Sequence, residues 1–132
     1  VINLQLSMAP MLVEAHPRID AIRGSLAIQC GPVVYCLEAT DHPGVNLMDI
    51  RLDETAPLQM DWREDLLPGG LTVVRTTGYL AETADWPQGL YRRFNEDGGP
   101  RQSIPLVAVP YYAWANRGAN AMRVWIPRAR AG

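Results

Sequence analysis

An all-β fold is what this sequence predicts: an antiparallel β-sandwich, jelly-roll-like, of about eight or nine short strands. Three observations carry that expectation. Apolar residues recur at every second position in several segments. Gly and Pro punctuate the chain between those segments. No stretch keeps a helical period for three turns. At 132 residues the chain can bury a single core, so residues 1–132 read as one domain.

The alternation is present from the start. Ile2, Leu4, Leu6 and Met8 alternate with Asn3, Gln5 and Ser7, which predicts a strand over 1–8. The pattern is already in full register at Val1, which is not an initiator Met, so Val1 reads as the cut end of a longer protein. Pro10 breaks this strand, and Met11–Ala15 is a short second one ended by His16-Pro17. Residues 18–23 read as a turn or a single helical turn. Leu26, Ile28 and Cys30 share one face of the next strand, with Ala27 and Gln29 on the other.

Gly31-Pro32 then separates that strand from Val33–Glu38. Every position from Val33 to Leu37 is apolar, the pattern of a strand covered on both faces. A loop follows at 40–44. Met48, Ile50 and Leu52 alternate with Asp49, Arg51 and Asp53, and Leu58, Met60 and Trp62 with Gln59, Asp61 and Arg63. Both read as half-buried strands with the apolar set inward. Pro68-Gly69-Gly70 is a turn, and residues 71–79, rich in Val and Thr, are a further strand. Residues 81–103 are polar and rich in Gly and Pro, an uncommonly long loop that is expected to be either mobile or pinned by a partner. The chain closes in a hairpin with arms 104–114 and 121–126, and Pro105 and Pro110 favour edge positions or bulges in it.

The net charge is −2 without a basic block, which argues against a nucleic-acid partner. All 12 basic residues are Arg. No apolar run approaches the roughly 18 residues of a helical membrane span, and no signal-peptide pattern opens the chain, so no membrane partner is expected. Neither a cytoplasmic nor a periplasmic setting is singled out. Cys30 and Cys36 would lie roughly 20 Å apart on one extended strand, too far for a disulfide. A fold-back at Gly31-Pro32 would bring them closer without requiring a bond. They read as buried free thiols.

Two segments carry a resemblance. The first is Gly24 to Glu38, with the core Leu26-Ala27-Ile28-Gln29-Cys30-Gly31-Pro32-Val33-Val34-Tyr35-Cys36-Leu37-Glu38. The second is Val109-Pro110-Tyr111-Tyr112-Ala113-Trp114-Ala115-Asn116-Arg117-Gly118, continuing to Met122-Arg123-Val124-Trp125-Ile126-Pro127. In this order they resemble the C-terminal region of the bacterial β-L-arabinofuranosidase-like family, glycoside hydrolase family 127. The resemblance covers essentially the whole chain; Leu67-Pro68-Gly69-Gly70 and residues 85–92 fit more loosely.

The resemblance implies a parent enzyme in which a helical barrel carries the chemistry and β-sandwich domains follow. It implies a retaining mechanism with a cysteine thiolate nucleophile, a glutamate acid/base and a bound zinc, the nucleophile coming from an adjacent Cys-Cys pair. This chain has no adjacent cysteines, so that pair is expected upstream of Val1. Cys36 matches a cysteine of the sandwich signature, and Cys30 stands where the family more often has Arg.

The residues themselves point the same way. A zinc site would draw on His16, His42, Cys30 and Cys36, with carboxylates, but no pair has a ligand spacing, so no metal or other cofactor is expected in this chain; the resemblance implies zinc only in the parent's barrel. Glu14, Glu38 and Asp41 form no recognisable carboxylate pair, so no catalytic residue is assigned. Glu38 is expected to pair with an Arg or to cap backbone, and His42, before Pro43-Gly44, to be a turn residue.

By strand parity Met122, Val124 and Ile126 face the core, leaving Trp125 and Arg123 on the other side. Trp125 then packs under the 81–103 loop, docks another domain or subunit, or stacks on a sugar with Arg123 as donor. Trp86, beside Pro87, shares that ambiguity. The expected function is a non-catalytic accessory domain that braces an upstream catalytic barrel or mediates a homodimer. The alternative is an autonomous carbohydrate-binding module. A sugar module would expose at least two aromatic rings along one face; a brace would expose an apolar patch made for a partner.

Overall fold

Period-two patterning produces nine strands in the computed structural model, which describes residues 1–3, 8–81, 86, 89–94 and 101–129. They are β1 (Pro10–Glu14), β2 (Ser25–Cys30), β3 (Val33–Glu38), β4 (Ile50–Leu52), β5 (Gln59–Arg63), β6 (Leu71–Leu80), β7 (Gln102–Pro110), β8 (Met122–Arg123) and β9 (Ile126–Pro127). Single 3₁₀ turns stand at Asp20–Ile22, Ala39–Asp41, Leu47–Asp49 and Tyr111–Ala113. Among the described residues there is no α-helix, and all strand pairs are antiparallel. The chain is an all-β antiparallel fold.

The nine strands form one sheet. Its path runs β1-β2-β3-β7-β6-β4, with β5 on β6, β8 on β3 and β9 on β2. The sheet curls because its C-terminal residues reach back to its far edge. β9 pairs with the start of β2, and Ala129 just beyond it donates its N–H to the Leu52 carbonyl of β4 at 2.8 Å. Ile28, Leu37, Ile50, Leu52, Leu106 and Ile126 fill the inside of the curl. A second apolar cluster of Cys36, Leu71, Val73, Val109 and Ala113 lies apart from this core, flanked by Leu66, Leu67, Met122 and Val124. Gly78 permits a close strand approach, since a Cβ there would stand 2.6 Å from the Arg51 carbonyl and 2.6 Å from Leu106.

The two ends of β3 part company with different neighbours. Its first half pairs with β2, its second half with β8. β2 in turn takes β9 at the end that β3 has left. The segment 122–127 therefore fills the opening where β2 and β3 diverge. This corrects the expected terminal hairpin: β7 and β8 do not pair with each other, because β3 lies between them. It also corrects the parity reading. Residues 124 and 125 bend between β8 and β9, so Met122 and Val124 join the second cluster while Ile126 enters the main core.

Each proline of β7 sits where that strand has one neighbour. Pro105 pairs only with Thr77 of β6, and Pro110 only with Tyr35 of β3. The missing N–H thus costs no ladder bond on a second side. Three local expectations change. Val34 is 37% exposed, so β3 is covered on both faces only from Tyr35 onward. Met48 is exposed on a 3₁₀ turn, while Ile50 and Leu52 are core. Met60 and Trp62 of the edge strand β5 are exposed, and Asp61 and Arg63 are half-buried. Residues 4–7 of the predicted strand over 1–8, and residues 82–85, 87–88 and 95–100 of the 81–103 loop, lie outside the described residues.

Candidate functional site

Glu38 is the last residue of β3 and is 0% exposed. A buried carboxylate must be fully bonded to be tolerated. Three groups from one segment meet that need. Ala115 donates its backbone N–H to Oε1 at 2.9 Å, Asn120 donates Nδ2–H to Oε1 at 3.2 Å, and Arg117 donates from Nη2 to Oε2 at 2.5 Å. Ala115 is the one non-glycine described residue with positive φ (66°), so this loop takes up backbone strain where it meets Glu38.

Arg117 also forms a two-pronged pair with Asp41, at 2.6 and 2.7 Å. One guanidinium thus serves two carboxylates in a fork geometry that Lys cannot supply. Its pKa is raised, chiefly by the hydrogen bonds to Asp41 and Glu38. Cys36, two residues before Glu38, has its thiol pushed up to about 12, first by burial and then by the Glu38 and Asp41 charges. It is a protonated, inert thiol at neutral pH. Cys30 is likewise free and buried, and burial raises its pKa.

His42 is a buried hub rather than a simple turn residue. Its Nε2 lies 3.2 Å from the Val107 nitrogen and accepts that N–H. Its Nδ1 lies 2.8 Å from the Glu38 carbonyl, so Nδ1 carries the proton of a neutral ring. Every donor and acceptor of the imidazole is used on backbone.

The loop held by this network is aromatic. Tyr111 and Trp114 have ring centroids 6.2 Å apart at a 36° tilt, and Tyr112 is 71% exposed. Ala113 between them is buried in the second cluster. The alternation of a buried alanine with outward rings follows from the 3₁₀ turn at Tyr111–Ala113.

The sequence-selected residues are placed elsewhere. Arg123 is half-buried and bound to main chain, donating Nε–H to the Trp125 carbonyl at 2.9 Å and Nη1–H to the Leu47 carbonyl at 2.9 Å. Burial lowers its pKa, with Arg51 adding to the effect. Trp125 is half-buried at the bend between β8 and β9. Trp86 is exposed, and the Arg92 guanidinium carbon lies 3.9 Å from its ring centroid, a cation–π contact. Arg123 and Trp125 are thus joined, through the Trp125 carbonyl. The Glu38–Arg117–Asp41 cluster, which sequence reasoning did not assemble, is the better-built feature. The signal for it was a carboxylate closing an otherwise apolar strand.

Among the described residues, the His and Cys side chains do not offer zinc a ligand set. Cys30 and Cys36 belong to different apolar clusters, both nitrogens of His42 hold backbone groups, and Nδ1 of His16 accepts the Arg18 N–H at 3.2 Å. Among the described residues no three His, Cys, Asp or Glu side chains converge as a metal site.

Comparison with known proteins places this architecture. A non-reducing end β-L-arabinofuranosidase from Bifidobacterium longum subsp. longum is 36% identical over 129 residues, covering 94% of this chain and 19% of that protein. The crystal structure of a family 127 β-L-arabinofuranosidase from Geobacillus stearothermophilus T6 superposes with a TM-score of 0.79 at 36% identity, over 92% of this chain and 18% of that one. A further structure, described as a glycoside hydrolase, gives 0.78 at 32% identity over 93% and 20%. The chain thus spans about a fifth of the length of these relatives. The profile of the glycoside hydrolase family 127 C-terminal domain matches residues 10–127, so the chain belongs to that domain family.

Proposed function

We propose that this domain is a non-catalytic accessory unit that braces the catalytic barrel of a family 127 glycoside hydrolase. The observation that supports this most is the fate of the buried carboxylates. Glu38 and Asp41 share one cation, since both are tied to Arg117. Neither is available to attack a sugar or to protonate a leaving group. What the network does instead is hold a loop in one shape. The share of the relatives that the chain spans, 18–20%, leaves ample length for a separate catalytic unit.

In this reading zinc and the thiolate nucleophile belong to the barrel. Trp125, with Arg123 fixed beside it, and Trp86 are additional contacts to that partner. The test is an assay of the purified chain on a chromogenic β-L-arabinofuranoside, with and without added zinc. The expected result is no release above background. Steady turnover by the chain alone would overturn the proposal.

A further inference from the structure

We propose that the face carrying Met11, Val34, Tyr111, Tyr112 and Trp114 is the surface on which the rest of the family 127 polypeptide docks. The inference deepens the bracing role and rests on it. Register sets these residues side by side. Met11 pairs with Gln29, and Gln29 with Val34, so the three stand in one row across β1, β2 and β3. Tyr111 follows directly on Pro110, the partner of Tyr35, which brings it next to Val34. All five side chains are at least 37% exposed. An exposed apolar and aromatic face of this kind, interrupted only by Gln29 in the strand row, marks an interaction surface.

Two features select a protein partner over a sugar. The Asn120 and Arg117 side chains behind the rings are already engaged within the domain. Asn120 donates to Glu38, and its carbonyl lies 3.4 Å from the Trp114 indole nitrogen. Arg117 is spent on Glu38 and Asp41. The amide and guanidinium donors nearest the rings are thus already used, whereas Met11 and Val34 suit a packed apolar contact. The loop is also prepared for docking: the Glu38 network fixes it before any partner arrives, which lowers the ordering cost of binding. The occupant is argued from length, since relatives carry about four-fifths of their residues outside this domain.

The experiment is hydroxyl-radical footprinting of the complete polypeptide encoded by the gene that carries these residues. Oxidation of each side chain is compared between the native and the urea-unfolded state. Tyr112, 71% exposed in this domain, is expected to be protected nearly as strongly as buried Tyr35. Oxidation of Tyr111, Tyr112 and Trp114 at rates matching their exposure in this domain overturns the proposal. If Met48 or Trp62 is protected instead, the docking face is wrong while the bracing role stands. If no exposed residue gains protection, both fail. Protection that disappears on dilution assigns the face to a second copy, and protection that appears only with added arabino-oligosaccharide assigns it to a sugar; either result overturns the inference.

Discussion

The imidazole of His42 accepts the Val107 N–H at the point where β3 leaves the edge of β7. β3 and β7 pair through Leu37 and Ala108. One step further, Glu38 turns into the 3₁₀ segment Ala39–Asp41 and no longer faces Val107 as a strand partner. The ring replaces the missing strand, and its other nitrogen holds the Glu38 carbonyl. His42→Ala should therefore leave two backbone groups unpaired, at a cost of about 1–3 kcal/mol each. Urea denaturation of both proteins, with amide exchange at Val107, measures this. His42→Gln, which keeps a donor and an acceptor, should recover part of the loss.

Arg117→Met should destabilise the fold by about 3–5 kcal/mol, because it strands Glu38 as an uncompensated buried charge. Arg117→Lys should rescue only partly, since an ammonium cannot reproduce the fork to Asp41. Combining Arg117→Met with Glu38→Gln should cost less than the sum of the single changes. Strict additivity in that double-mutant cycle would show that the two side chains act independently.

Within β3 the cost of truncation should follow burial residue by residue. Leu37→Ala, at 0% exposure in the main core, should cost about 2–5 kcal/mol. Val34→Ala, on the open face, should stay within about 1 kcal/mol. Equal losses at the two positions, read by chemical denaturation, would show that Val34 is covered within this domain.

Stability should decline through the alkaline range. The Cys36 thiol is raised from 9.0 and the Tyr35 phenol from 10.0, each to about 12, by burial above all. Between those values the unfolded chain has released protons that the folded chain still holds, so the slope of stability against pH is negative. Each such group contributes about 1.4 kcal/mol per pH unit. The contribution is intact below pH 9 and is lost as pH approaches 12. Urea titrations at several pH values, with Cys36→Ala as a flatter comparison, check the sign. Thiol reagents at neutral pH should label neither cysteine until the protein unfolds.

Much of this fold is legible in the sequence, because period two is a local property. The alternations around Leu26–Cys30 and Leu71–Tyr79 and the apolar run from Val33 each became a strand. Partner choice is not local. Residues 104–114 and 121–126 have the look of a hairpin, yet the insertion of β3 between β7 and β8 depends on contacts about 85 residues away along the chain, as in the Leu37–Arg123 pair (123 − 37 = 86). Faces fail for a related reason. Met60 and Trp62 alternate well enough for burial, but an edge strand has a face only where something lies over it.

The candidate site divides the same way. Glu38 was readable as a carboxylate needing an Arg, since a charge at the end of an apolar strand demands compensation. Which Arg, that Ala115 and Asn120 would add donors, and that Asp41 would claim the same guanidinium, required a loop 77–82 residues later to fold over it. His42 looked like punctuation because Pro43-Gly44 follows it; its bond to Val107 spans 65 positions.

The segment 122–127 that fills the parting between β2 and β3 has a consequence for how the chain is made. Translation delivers β2 and β3 long before β8 and β9. Until then, the edges meant for Met122–Arg123 and Ile126–Pro127 stay open, and Ile126 is missing from the core. The nascent chain therefore waits on β8 and β9, with exposed edges that invite pairing to a neighbour. Late-arriving contacts of this span also make folding slow, so residues 122–127 act as the stitch that ends the vulnerable interval.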